Sequence, residues 1–395
     1  MNHKAVILGN NYYIGLSTIR CLGSKGIHTV AIDYSEEERY GAKSKYCKEK
    51  LIAPHYKTET RAFIDFLITY AQEQEKQPVL IPCHDSYLEV VDAHLNELKQ
   101  HYLIPQTEQG LYTEVMNKES LHALAVKHGV KVPETVRIGE TDFKEKVLHT
   151  IKFPCLVKPV DSPAFTRVFR KKLFKVYTMD ELERSLEKCQ EAELEVIIQR
   201  IIPGFDDHMY TFDSYVNQET KVTHWTTCQK LRQYPINYGA SVFTVQRHVP
   251  ELYDIGAQFI EAIGFKGFSE IEFKKDAETG DFYLIEINAR ITNFNTMLNK
   301  IGLNFPYITY KELTGQPMEQ KAVIENTNTA FWYAHEDLLA VLGYMKTKQM
   351  SFMTFFKSLF RPKAYAIWSW KDPKPFFSYN MALVKRLFQK LFKRR

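Results

Sequence analysis

Short, unbroken apolar runs alternate with stretches of helical periodicity at the start of the chain. KAVILG (4–9) and HTVAID (28–33) have the continuous apolar character of strands buried on both faces. IGLSTIRCLGSKG between them reads as the crossover helix of a βαβ unit. A helix-period stretch at 61–74 leads to a third strand, PVLIPC (78–83). His84, Asp85 and Ser86 stand at the carboxyl end of that strand, before an amphipathic helix in which Ser86 and Glu89 have capping-box spacing. This first domain is α/β and ends near residue 112.

The pattern then changes. NKESLHALAVKHG (117–129) reads as a short helix, followed by strands at 153–159, 173–177 and 194–200, with a helix at 179–191. Antiparallel-looking strands follow at 210–216, 221–228 and 240–247, and a helix at 251–263 precedes two further strands, FKGFSEIEFKK (265–275) and DFYLIEINARI (281–291). Glu278, Thr279 and Gly280 supply the turn between them, so this part is α+β. Near the C-terminus Leu383, Val384, Leu387, Phe388, Leu391 and Phe392 recur on one helical face, with Lys385, Arg386, Lys390 and Lys393 on others. That is a basic amphipathic helix, suited to a membrane interface or to packing on the body, and FMTFFKSLF and YAIWSW before it add aromatic surface.

Residues two apart on a strand share a face, so Glu286 and Asn288 project together from YLIEINARI. Glu272, in the apolar strand FSEIEF, places a third oxygen donor opposite them, with Glu270 on the same face. Such hard oxygen donors suit magnesium carried by nucleotide phosphates. A solvated hairpin face is the plainer alternative, and the enclosure of these acids within apolar strands weighs against it. Arg290 follows at the same spacing; its guanidinium fork can hold a carboxylate or phosphate bidentately, or make an ordinary surface ion pair.

The run GFSEIEFKKDAETGDFYLIEINAR resembles the metal-binding signature of the ATP-grasp superfamily. NKESLHALAVKHGVKVPET, FPCLVKP and VIIQRIIPG resemble, in matching order, the family's ATP-domain opening, its second nucleotide-contacting lysine, and the strand and hinge lining its adenine pocket. The resemblance implies a Rossmann-like pre-ATP-grasp domain over 1–112 and an ATP-grasp fold over 113–320, with a small lid at about 130–200. A C-terminal extension over 321–395, ending in the basic helix, completes this division. It implies ATP as co-substrate with two Mg2+ ions, Mn2+ being the alternative, held by Glu272, Glu286 and Asn288. Lys118 and Lys158 would contact the phosphates, Gln199, Ile201 and Ile202 the adenine, and Asp206 or, by preference, Asp207 the ribose. Arg290, Lys158 and Lys230 would carry catalysis, with Lys230 and Arg232 reaching an anionic substrate from a neighbouring loop.

Two departures from the family pattern stand out. The loop DSPAFTRVFRKKLFKV lacks glycines and offers Arg167, Arg170, Lys171 and Lys172 instead, and Gln199-Arg200 replaces an acidic residue near adenine. IPCHDSYLEVVDAHLNEL and the later motifs are most similar to bacterial carboxylate-amine ligases of the D-aspartate ligase type. That likeness implies an acyl phosphate formed from an amino acid, and an amine acceptor on a cell-envelope precursor. A nucleotide-binding module with weak or no ligase activity, recruited to a membrane or a partner, is the alternative.

Composition narrows the setting. Seven Lys and Arg follow Pro373 without any Asp or Glu, which leaves the body near neutral within a net charge of +5 and argues against a nucleic-acid surface spread over the fold. Six scattered cysteines, without a Cys-x-x-Cys pair, suggest neither a zinc site nor a disulfide framework. MNHKAVILGNN has no secretory pattern and no run nears the ~20 apolar residues of a membrane span, so a cytoplasmic setting is expected, with any membrane contact peripheral. Oligomeric state is left open.

Overall fold

The computed structural model describes residues 2–36, 39–160 and 162–392, arranged around three sheets. Strand β1 (Ala5–Leu8), helix α1 (Tyr13–Gly23) and strands β2 (Thr29–Asp33), β3 (Cys47–Ile52) and β4 (Val79–Pro82) form a parallel sheet in the order β3-β2-β1-β4. The two apolar runs are its fully buried central strands. Edge strand β3 escaped the apolar-run criterion because CKEKLI alternates buried and exposed positions. Helix α2 (Asp85–Ala93) leaves the end of β4. The capping box expected at Ser86 and Glu89 is replaced by His84, whose Nδ1 accepts from the Ser86 amide at 3.3 Å, because the helix already begins at Asp85.

Helix α3 (Lys118–Lys127), capped by the Asn117 side chain, leads into a small antiparallel sheet. Its strands are β5 (Thr135–Arg137), β6 (Cys155–Pro159), β7 (Phe174–Val176) and β8 (Val196–Arg200), in the order β5-β8-β6-β7. The glycine-poor loop expected after Lys158 is largely a helix, α4 (Ser162–Phe169). Phe165 and Phe169, one turn apart, meet each other and Phe174 of β7 at 4.7–5.0 Å between ring centres, and this aromatic cluster gives the segment its own core. Asp161, where that loop was expected to begin, lies outside the described residues.

The largest sheet comprises β9 (Met209–Val216), β10 (Val222–Tyr234), β11 (Ala240–Gln246), β12 (Gly267–Lys275), β13 (Phe282–Asn288), β14 (Lys321–Val323), β15 (Ala330–Trp332) and β16 (Lys363–Tyr365). Its order is β13-β12-β9-β10-β11-β15-β16, with β14 alongside β10. β10 continues beyond residue 228, so Lys230 and Arg232 stand in a strand rather than in a neighbouring loop. Pairing with β9 as far as Lys230, and with β11 on to Tyr234 across an irregularity at Leu231, holds it extended.

Residues beyond 320 contribute to this sheet through β14, β15 and β16, and add helices α5 (Ala334–Lys346), α6 (Phe352–Ser358) and α7 (Lys374–Phe392). One apolar cluster runs from Ile7 and Tyr13 through Phe294 to Phe331 and Ala364, joining the first sheet to these late strands. Buried ion pairs hold these late elements in place, and that of Asp372 reinforces the join. Asp372 accepts from Arg20 Nε at 2.9 Å, Ser44 Oγ at 2.6 Å and the Lys45 amide at 3.0 Å. Arg232 donates through Nε and Nη2 to both oxygens of Asp337, at 2.6 and 2.8 Å, while its guanidinium lies 3.9 Å from the ring centre of Phe243. Lys393, Arg394 and Arg395 lie outside the described residues, and among those described no helix is long and apolar enough to cross a membrane.

Candidate active site

The β12-β13 hairpin sets the site. Its register places Glu272 opposite Glu286 and Glu270 opposite Asn288, because a period of two keeps all four on one face. Asn288 Nδ2 donates to Glu272 Oε1 at 3.2 Å, and its Oδ1 accepts from Arg290 Nη2 at 3.2 Å. From β10, Lys230 reaches the same face: its ammonium touches Glu272 and lies 3.6 Å from Glu270, with its side chain only 4% exposed.

Burial alone would discharge this cluster, and the observed balance differs residue by residue. For Lys230 burial is outweighed by Glu272 and Glu270, which hold the ammonium above its usual range. Burial also works against ionising Glu272, but Lys230 holds that carboxyl below its ordinary value. Glu270 goes the other way, pushed well up by burial in spite of Lys230. Asp213 on β9, paired with Glu270, is pushed up to about 7 by burial, and only its Oδ2 is bonded, by Thr211 Oγ1 at 2.7 Å. Asp213 was missed from the sequence although TFDSYV carries the same signal as FSEIEF, an acid within an apolar strand. Glu286 keeps contact with solvent at the cleft, yet the surrounding protein raises its carboxyl and repulsion from Glu272 adds to the effect.

Arg290 is anchored from the first sheet. Its Nε lies 2.7 Å from Asp85 Oδ1, and its Nη2 donates to Asp85 Oδ2 at 3.2 Å. Asp85 occupies the first turn of α2, at the carboxyl end of β4, where parallel sheets present polar groups to a cleft.

A cavity of about 230 Å³ opens beside the hairpin, between α3, the small sheet and β13. Lys118, Lys158, Gln199, Thr135, Ile197 and Leu284 line it. Lys158 Nζ donates to Gln199 Oε1 at 2.9 Å, and burial together with nearby Lys118 lowers the Lys158 ammonium to about 8. Burial likewise lowers Lys118. The structure therefore brings Lys118, Lys158 and Gln199 together. Ile201 and Ile202 follow β8 outside this lining, and Asp207 borders a different cavity, of about 380 Å³, with Leu231 and Lys357. Asp206 is buried and satisfied by Asn237 and Gln233, and Arg200 turns away to Glu134 and Asp276.

Residues 124–311 match the family described as D-ala D-ala ligase C-terminus. The chain is similar in fold to the biotin carboxylase domain of the Hydrogenobacter thermophilus 2-oxoglutarate carboxylase, solved with MgADP: TM-score 0.65, 16% identity, 84% of this chain and 74% of that one. It is also similar to N5-carboxyaminoimidazole synthetase from Staphylococcus aureus complexed with ADP, with TM-score 0.62, 16% identity, and 82% and 81% covered. The chain has the ATP-grasp fold. The chain is also similar in fold to the L-amino acid ligase from Bacillus licheniformis, at TM-score 0.59 and 15% identity, with 80% and 75% covered. Among curated sequences it is 27% identical to the D-aspartate ligase of Enterococcus faecium (strain Aus0004), over 65% of this chain and 64% of that protein. It is 24% identical to the D-alanine--D-alanine ligase of Saccharophagus degradans, over 40% of this chain and 50% of that protein. The chain thus spans less than two thirds of the length of these curated relatives.

Proposed function

We propose that this chain is an ADP-forming carboxylate-amine ligase of the ATP-grasp superfamily, taking an amino acid such as D-aspartate as the carboxylate and an amine on a cell-envelope precursor as acceptor. The observation that carries this reading is the juxtaposition of the Glu272, Glu286, Asn288 and Arg290 face with the cavity lined by Lys118, Lys158 and Gln199. The likeness to a D-aspartate ligase supports the choice of amino acid.

Glu272, Glu286 and Asn288 offer hard oxygen donors on adjacent strands, a set that fits magnesium completed by phosphate and water oxygens. Two Mg2+ ions, or Mn2+ in their place, belong to this reading, and when bound they supply charge neutralisation at the transferring phosphoryl group. Lys118 and Lys158 hold the triphosphate, and the lowered affinity of Lys158 for its proton marks a site that gains from an anionic ligand. A substrate carboxylate oxygen attacks the γ phosphorus in line; the bond to the β-γ bridging oxygen breaks and ADP leaves. The neutral amine then attacks the acyl carbon, the carbon-oxygen bond to phosphate breaks, and the amine's extra proton is lost as the amide forms. Arg290, held by Asp85, orients the carboxylate and meets the negative charge developing on its oxygen. Lys230 keeps Glu272 ionised and in place.

Incubating the protein with ATP, magnesium, D-aspartate and hydroxylamine tests the reading. ADP, phosphate and an aspartyl hydroxamate are expected. AMP and pyrophosphate would exclude the acyl phosphate, and trapping with a different amino acid alone would redirect the substrate assignment.

A further inference from the structure

Residues 338–395 contain thirteen Lys and Arg and a single acid, Asp372, while the preceding 337 residues carry a net negative charge. Asp372 is 1% exposed and engaged by Arg20, so it presents no negative charge to solvent. More than half of the large apolar side chains that stand exposed among the described residues also fall in this short stretch. Cations and exposed apolar groups thus fall in the same stretch of the chain.

Their arrangement on the helices is regular. On and just beyond α6, Phe352, Met353, Phe356 and Phe360 occupy one sector at 100° per residue, and each is exposed, Phe360 by 74%. Phe355 and Ser358, on the opposite side, turn inward to Arg232. Lys357 flanks the exposed sector. On α7, Phe377, Met381, Val384 and Phe388 follow the i, i+4, i+7, i+11 spacing of a single stripe and are 49–74% exposed. Tyr379 and Phe376 turn instead to Tyr333 and Trp368, and Lys374 and Lys385 border the stripe. Both helices therefore bury a separate face and leave an apolar one in solvent, bordered by cations.

We propose that α6 and α7 form a docking surface for an anionic lipid bilayer, the aromatic and aliphatic stripes entering the interface and the flanking lysines meeting lipid phosphates. Charge selects this occupant. A second copy of the chain would bring the same cations face to face, whereas an anionic headgroup layer complements them. The proposal does not depend on the ligase reading, since none of these residues borders the β12-β13 face.

The test is co-sedimentation of the full chain with vesicles of phosphatidylcholine alone or mixed with phosphatidylglycerol. With several lysines near the surface, binding to the anionic vesicles is expected to be tighter on the order of a hundredfold, and to weaken as salt is raised. Emission from Trp370, which is 85% exposed between the two helices, should shift to the blue on binding. Phe352→Ser with Phe356→Ser, and separately Val384→Ser with Phe388→Ser, should release the protein from vesicles and leave nucleotide binding unchanged. Absence of sedimentation and of a blue shift in the unaltered protein overturns the proposal, as does equal binding to neutral vesicles. A dimer in analytical ultracentrifugation that the serine variants dissociate, without vesicle binding, overturns it in favour of self-association.

Discussion

Glu286 touches solvent and fills no core position, so exchanging one of its oxygens for nitrogen removes charge with little effect on packing. Glu286→Gln should therefore reduce magnesium-dependent turnover by roughly a hundredfold or more while far-UV circular dichroism stays unchanged. Near-normal turnover at saturating magnesium rejects this residue as a metal ligand. Lys158 gives a pH-dependent expectation. Its ammonium, lowered to about 8 mainly by burial, is charged below that value and neutral above it. Nucleotide affinity should then fall as pH rises through about 8, and Lys158→Met should flatten the profile in isothermal titration. The sign for stability is opposite: between about 8 and the ordinary 10.5 the unfolded chain binds the proton and the folded one does not, so Lys158 favours folding more as pH rises.

At the scale of elements, α5 is joined to β10 by the ion pair of Arg232 with Asp337, whose side chains are 3% and 0% exposed. Trp332 Nε1 adds a bond to Asp337 Oδ2 at 2.7 Å. Asp337→Ala strands a buried guanidinium and should cost ~3–5 kcal/mol in urea unfolding. A loss below ~1 kcal/mol would mean that water reaches Arg232 and the pair is not holding α5 in place. The sequence presents Arg232 as a free cation of a loop, and nothing within QKLRQYP reveals a carboxylate more than a hundred residues later. The hairpin was legible for the opposite reason: its residues are neighbours in sequence, and a period of two with one turn suffices to set Glu272 against Glu286.

For the molecule as a whole, Asp372 fastens the C-terminal segment to α1 and to the chain before β3. Asp372→Ala should lower the melting temperature and let chymotrypsin cut after Phe376 before other sites; a fragment pattern like that of the unaltered protein counts against the latch. By itself the sequence determined the parallel start, the antiparallel hairpin and the acids sharing one face, since each follows from periodicity over a few residues. Only the tertiary structure decided which cations meet those acids. Lys230 neutralises Glu272, and Asp85 claims Arg290 across some two hundred positions. It also separated Lys158 and Gln199, which share a cavity, from Ile201, Ile202 and Asp207, which leave it as the chain turns out of β8. The same holds for the last helix, whose apolar residues were readable as a stripe. Whether such a stripe is buried depends on the surface that the rest of the chain offers it, and here Tyr333 and Trp368 take one face of α7 and leave Val384 and Phe388 of that stripe in solvent.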